Sequence, residues 1–151
     1  MIYIASPLFS QSELEFNLKL KQKLSNISNV YLPQEDGKLM TELIDNGSSL
    51  KTAKSIVFKK DLEAIRKCDI FLIVLDGRVI DEGAAFELGY AYAQGKKCYG
   101  LRTDTRREIL GINNPMIEES CEVIFGNVES LILFMKFSNR LPVLSEYQGM
   151  V

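Results

Sequence analysis

The chain has 151 residues, 46% of them hydrophobic and 25% charged, long enough for one domain with a sizeable core. Its formal net charge of −2 and pI near 5.3 argue against a nucleic-acid partner, which requires a concentrated basic surface. It contains no histidine, which excludes Ser-His-Asp and Cys-His catalysis and nearly all zinc sites. Acid–base or nucleophilic work must then fall to Asp, Glu, Tyr, Lys or Cys. No apolar run approaches the ~20 residues of a membrane span. The start, Met1-Ile-Tyr-Ile-Ala, lacks the basic region of a signal peptide and runs straight into a strand pattern. Cys68, Cys98 and Cys121 form no C-x-x-C pair, and their odd number suits inert thiols in a reducing cytoplasm.

Met1 to Ala5 reads as a first strand, whose alternation sets Tyr3 on the face opposite Ile2 and Ile4. The Ser6-Pro7 turn follows. Residues from about Ser10 to Leu24 carry a helical period, with Leu14, Leu18, Lys21 and Leu24 on one side. A short strand, Val30-Tyr31-Leu32, ends at Pro33. From Gln34 to about Ser55 the pattern is broken by Gly37, Gly47, Ser48 and Ser49, and so long an unpatterned stretch in a compact domain is usually functional or mobile. A helix over roughly Thr52–Lys67 should turn Ile56, Leu62 and Ile65 inward. A buried strand, Ile70–Leu75, ends in Asp76, and a helix rich in small and apolar residues then carries Glu87. A strand over Lys97–Leu101, a loop from Thr103 to about Pro115, a strand over Glu122–Phe125 and a helix from Val128 to about Phe137 complete the pattern. Strands alternating with helices predict an α/β domain with a mostly parallel five-stranded sheet covered on both faces.

In such a sheet ligands bind beyond the carboxyl ends of the strands, where the strand order reverses. Ser6, Pro7, Asp76 and Asp81 follow strand ends and fall on that rim. Neither G-x-G-x-x-G nor G-x-x-x-x-G-K-[ST] occurs, so no dinucleotide or nucleoside triphosphate site is expected, and no cofactor or metal. Glu87 is the one ionisable residue inside its apolar helix. It is either a structural acid paired with a base or a reactive group aimed back at the rim. Asp81 is either an N-cap or a site residue. Asp61, beside Lys59 and Lys60, reads by itself as an exposed acid, and Asp76-Gly77 as a turn. Tyr3 is either a core tyrosine or a hydrogen-bond partner for Glu87. Paired carboxylates near one centre are the equipment of glycosidic bond exchange.

Taken together, Ile2-Tyr-Ile-Ala-Ser-Pro-Leu-Phe9, Asp61-Leu-Glu-Ala-Ile65, Cys68-Asp-Ile70 and Asp81-Glu-Gly-Ala-Ala-Phe-Glu-Leu-Gly-Tyr-Ala91 resemble the nucleoside 2-deoxyribosyltransferase family, from Tyr3 to about Phe125. The resemblance implies a single flavodoxin-like, doubly wound domain over residues 1–151. It implies a pentosyltransferase that exchanges the base of a 2′-deoxynucleoside for a free nucleobase by double displacement. Glu87 would attack C1′ to form a glycosyl-enzyme and Tyr3 would hydrogen-bond Glu87. Asp61 and Asp81 would bind the nucleobase, one of them passing its proton; Asp81 is ranked with Glu87 and Tyr3 as catalytic. Asn113 or Asn114 would hold the sugar of a neighbouring subunit's substrate, and Ser6 and Pro7 would line the pocket. Family members also use a neighbour's C-terminal residues. Tyr147-Gln-Gly-Met-Val151 is similar but without the terminal aromatic, and a homo-oligomer is implied. Related nucleotide N-glycosidases share the fold and the Glu but hydrolyse 5′-monophosphates. Asp81 and Glu82 would repel such a phosphate, although Ser6, Ser10 and Ser120 offer hydroxyls. A non-catalytic nucleoside sensor is the third reading, against which intact Tyr3, Asp61, Asp81 and Glu87 count.

Overall fold

A computed structural model describes residues 1–104 and 114–138. In it β1 (Ile2–Ala5), β2 (Val30–Tyr31), β3 (Ile70–Val74), β4 (Lys97–Leu101) and β5 (Val123–Phe125) form one sheet in the order β2-β1-β3-β4-β5. Every described pairing is parallel. Strands buried on both faces need apolar residues at consecutive positions, and β1 is buried along its whole length while β3 is buried from Phe71 to Val74. The chain runs outward from β1 in two directions, so the strand order reverses between β1 and β3. The crevice for ligands in this α/β architecture opens at that point.

Alternation sorts the strand residues into two cores. On one face Tyr3, Ala5, Phe71 and Ile73 pack with Ala64 and Ile65 of α4 (Leu50–Lys67) and with Ala84, Leu88 and Ala91 of α5 (Glu82–Ala93). On the other, Ile2, Ile4, Leu72 and Val74 meet Leu20 and Leu24 of α1 (Gln11–Ser25) and Leu131 and Met135 of α7 (Val128–Ser138). Tyr3 therefore does lie opposite Ile2 and Ile4. Small residues on α5 let it lie close to the sheet, and that closeness carries Glu87 down onto β1.

Two helix faces differ from expectation. In α1 the buried positions are Asn17, Leu20 and Leu24, and Leu18 is exposed. The stripe was hidden because a polar residue takes one of its slots: the Asn17 amide donates to the Pro7 carbonyl (2.9 Å) and to Gln34 Oε1 (3.0 Å). In α4 Ala64 and Ile65 pack on the sheet, Ala53 is buried near the helix start, and Ile56 points outward. The broken stretch after Gln34 contains two short helices, α2 (Pro33–Asp36) and α3 (Met40–Asp45), and α4 starts earlier than Thr52, at Leu50 after its Ser49 cap. A further short helix, α6 (Pro115–Glu118), closes the expected loop before β5.

Candidate active site

The site is built on three aromatic rings in register. Tyr3 of β1 pairs with Tyr31 of β2 and with Phe71 of β3, so the three side chains leave the same face of the sheet. Their rings stack at 5.3 Å and 5.4 Å, with interplanar angles of 13° and 10°. Two carboxylates from the helices above meet the two phenols. Tyr3 donates to Glu87 Oε1 of α5 at 2.8 Å, and Tyr31 donates to Asp61 Oδ1 of α4 at 3.3 Å.

Both acids border one cleft of about 270 Å³ between α4 and α5, whose other walls include Met40, Val57, Phe58 and Phe86. Phe58 and Phe86 meet across its mouth at 5.9 Å between ring centroids. Removal from water disfavours a carboxylate's charged form. Burial pushes Glu87 up to about 8 from an ordinary 4.5; the Tyr3 hydrogen bond opposes the shift, and the charges of Asp61 and Asp81 add to it. Asp61 is also raised, by burial, against the pull of the Tyr31 hydrogen bond and of Lys60. Burial, with Glu87 next, holds the Tyr3 phenol far above its ordinary range, so it stays a donor. The arrangement is thus two phenols that each donate to a carboxylate at a largely apolar cleft, which Lys54 also lines. It suits a nucleophile that loses its proton on reaction beside an acid that can supply one.

Asp81 stands at the start of the same helix. Its Oδ2 accepts from the Ala84 backbone N–H at 2.8 Å as the N-cap of α5, while its charge acts on Glu87. Capping and site membership coexist here, and two substitutions separate them. Asp81→Ala should lower stability by about 1 kcal/mol, because the cap is lost. Asp81→Asn keeps a good capping oxygen and should melt within about 0.5 kcal/mol of wild type. Thermal unfolding of both variants checks this; equal losses would mean that the charge, and not the cap, holds the helix start.

The other expected site residues lie apart from this cleft. Pro7 lines a second cleft of about 280 Å³ beside α1, with Asn17, Asp76 and Gly77. Ser6 is buried, and among the described residues its hydroxyl has no hydrogen-bond partner. Asp76 is more than a turn residue: it accepts from the backbone N–H of Thr103 (2.6 Å) and of Asp104 (2.9 Å) and so ties the ends of β3 and β4 together. Gly77, at φ 112°, lets the chain turn there. Asn114 caps α6 through an Oδ1 that accepts from Met116 N at 3.0 Å. Asn113 and the tail Tyr147–Val151 lie outside the described residues. Among the described residues no group of three or more Cys, Asp or Glu is arranged to hold a metal, and no helix is long and apolar enough to cross a membrane.

Sequence reasoning passed over Tyr31, Phe58 and Phe86 as site residues. The signal for Tyr31 was its pairing with Tyr3, which needs the register of two strands far apart in sequence. Phe58 precedes Asp61 by one helical turn, and Phe86 precedes Glu87 directly. An apolar residue next to each acid, left half-exposed, was the trace of the cleft wall.

The sequence matches the family profile described as nucleoside 2-deoxyribosyltransferase over residues 2–129. A search of curated protein sequences returns no match. Among solved structures, a 2-deoxyribosyltransferase from the psychrotolerant bacterium Bacillus psychrosaccharolyticus is 28% identical with a TM-score of 0.72, covering 87% of this chain and 89% of that one. A conserved protein from Enterococcus faecalis V583 is 27% identical with a TM-score of 0.73, covering 93% of this chain and 98% of that one.

Proposed function

The chain belongs to the nucleoside 2-deoxyribosyltransferase family, and on that premise we propose that it exchanges the nucleobase of 2′-deoxynucleosides through a covalent glycosyl-Glu87 intermediate. The observation that carries the reading is the Tyr3–Glu87 hydrogen bond of 2.8 Å at the edge of a cleft that also holds Asp61. The ionised Glu87 attacks C1′ as the bond from C1′ to the base nitrogen breaks. The departing base takes a proton from Asp61. The incoming base returns that proton to Asp61 as its nitrogen attacks C1′, and Glu87 leaves as a carboxylate.

Asp61 is favoured over Asp81 for the proton because it shares the cleft with Glu87 and its pKa is raised, whereas one Asp81 oxygen is committed to the α5 cap. Asp81 then holds the base as a second acceptor. A nucleoside is favoured over a 5′-monophosphate because the Asp81 carboxylate occupies the N-terminus of α5, where a phosphate would otherwise bind. The three unpaired cysteines fit a reducing cytoplasm. A homo-oligomer in which a neighbour's Asn113 or Asn114 and tail complete the sugar pocket is part of the same reading.

Incubation with a deoxynucleoside, with and without a second free base, tests it. New deoxynucleoside without free deoxyribose is the expected result. Free sugar under both conditions would replace the transferase with a hydrolase, and no turnover would leave a sensor.

The two carboxylates also predict a split pH response. A substrate whose leaving group departs without protonation needs only the ionised Glu87, so its kcat/KM should rise through pH of about 8 to a plateau. A natural base needs one proton left on the pair, so its kcat/KM should be bell-shaped and fall on the alkaline side. Identical profiles for the two substrates would remove Asp61 from the proton transfer.

A further inference from the structure

The bond that breaks joins a sugar carbon to a base nitrogen, so the group that attacks the sugar and the group that serves the base must sit a fixed distance apart. In this protein the two acids come from different helices, Asp61 from α4 and Glu87 from α5. Nothing in either helix alone sets that distance. What the acids share is the aromatic stack below them: Glu87 accepts from Tyr3 and Asp61 from Tyr31. The two rings are neighbours at 5.3 Å, held by the parallel register of β1 and β2. Tyr3 is itself fully buried and stacked on Phe71, so the row is anchored in the core.

We propose that Tyr31 is a positioning residue of this reaction: its phenol fixes Asp61 at the spacing from Glu87 that the sugar–base bond requires, and it steadies the Asp61 carboxylate left when the base takes its proton. The proposal rests on the base-exchange reading above. The phenol is suited to the task because it donates without giving up its proton. Its acidity is suppressed by burial, then by the neighbouring Asp61, with Asp36 of α2 and Glu87 of α5 adding to the effect. Asp61 faces Tyr31 from β2, Tyr3 from β1, Glu87 from α5 and Lys60 from its own helix, with Lys54 of that helix lining the same cleft. Tyr31 supplies the hydrogen bond that favours the ionised form. Without it, every state of the pair with an ionised Asp61 is less favourable, so the proton is held more tightly.

Tyr31→Phe keeps the ring and the stack and removes only the donor. The variant should fold and form oligomers like wild type, and its kcat with a natural base should fall about tenfold. Its kcat/KM profile should move to higher pH by about half a unit or more. With a leaving group that needs no proton, kcat should stay within about twofold of wild type. Tyr31→Leu, which loses the stack as well, serves as the packing control. If Tyr31→Phe matches wild type in rate and profile while Tyr31→Leu is impaired, Tyr31 is packing alone and the proposal fails. If wild type itself exchanges no base, the failure belongs to the base-exchange reading, and an NMR titration of the Asp61 carboxyl then decides the proposal. An unchanged Asp61 midpoint in Tyr31→Phe overturns it, and a rise upholds the coupling.

Discussion

Glu87→Gln should abolish base exchange, with a loss of ~10⁴-fold or more, and should at the same time give a more stable protein. On the proposed mechanism the loss follows because an amide cannot form the ester to C1′ that would split the exchange into two steps. The stability gain follows from the pKa. In the folded protein the Glu87 carboxyl titrates near 8, against an ordinary 4.5. The folded state therefore holds that proton more tightly than the unfolded chain does. Wild-type stability is undiminished by this group below about pH 4.5, is lost progressively as pH rises through about 8, and stays at the lower level above it. The glutamine has no such slope and can still accept from Tyr3, so no donor is orphaned. The variant should exceed wild type by roughly 3 kcal/mol at pH 9 and by little at pH 4. Chemical denaturation at the two pH values, alongside a base-exchange assay, measures both effects. A variant that is inactive but no more stable at pH 9 would mean that Glu87 ionises freely in the resting protein.

Asp61→Asn should produce the second-largest effect, and a selective one. Natural bases leave poorly as anions, and without the Asp61 proton their turnover should fall by ~10²–10⁴-fold. A deoxyriboside with a leaving group of low basicity needs no such help and should lose no more than about tenfold, a cost of altered contacts rather than of proton transfer. Asparagine can still accept from Tyr31, so the second phenol keeps a partner. Parallel kcat measurements with the two substrates decide the matter. Equal losses would mean that Asp61 binds the base without moving its proton, and Asp81 would then be the acid.

How much of this was legible in the sequence follows from where each signal is stored. Glu87 stood out because a lone acid in a helix of small and apolar residues is expensive to bury, and Tyr3 because strand alternation is a local property. The strand pattern of β1 and β3 likewise carried the sheet. Asp61 was different: Lys59, Lys60 and Glu63 around it are the neighbours of a solvated helix face, and its burial comes from Tyr31 and the cleft, which belong to other elements. Only the family resemblance raised it to a site residue. Asn17 hid the buried face of α1 for a related reason, since its polarity is matched by partners in the Pro7 loop and at Gln34 that no helical period encodes. Asn114 and Ser6 were placed by their region of the chain alone; in this structure Asn114 caps a short helix and Ser6 is buried.

The central claim is that Glu87 takes the sugar. A 2′-deoxy-2′-fluoro nucleoside slows both displacement steps by destabilising the positive charge that develops at C1′, so a glycosyl-enzyme should accumulate long enough to be mapped by peptide mass spectrometry. The account predicts one added fluorosugar per chain, on the peptide that contains Glu87, discharged by a second free base. An adduct on any other residue, or turnover of the analogue with full activity in Glu87→Gln, would contradict it.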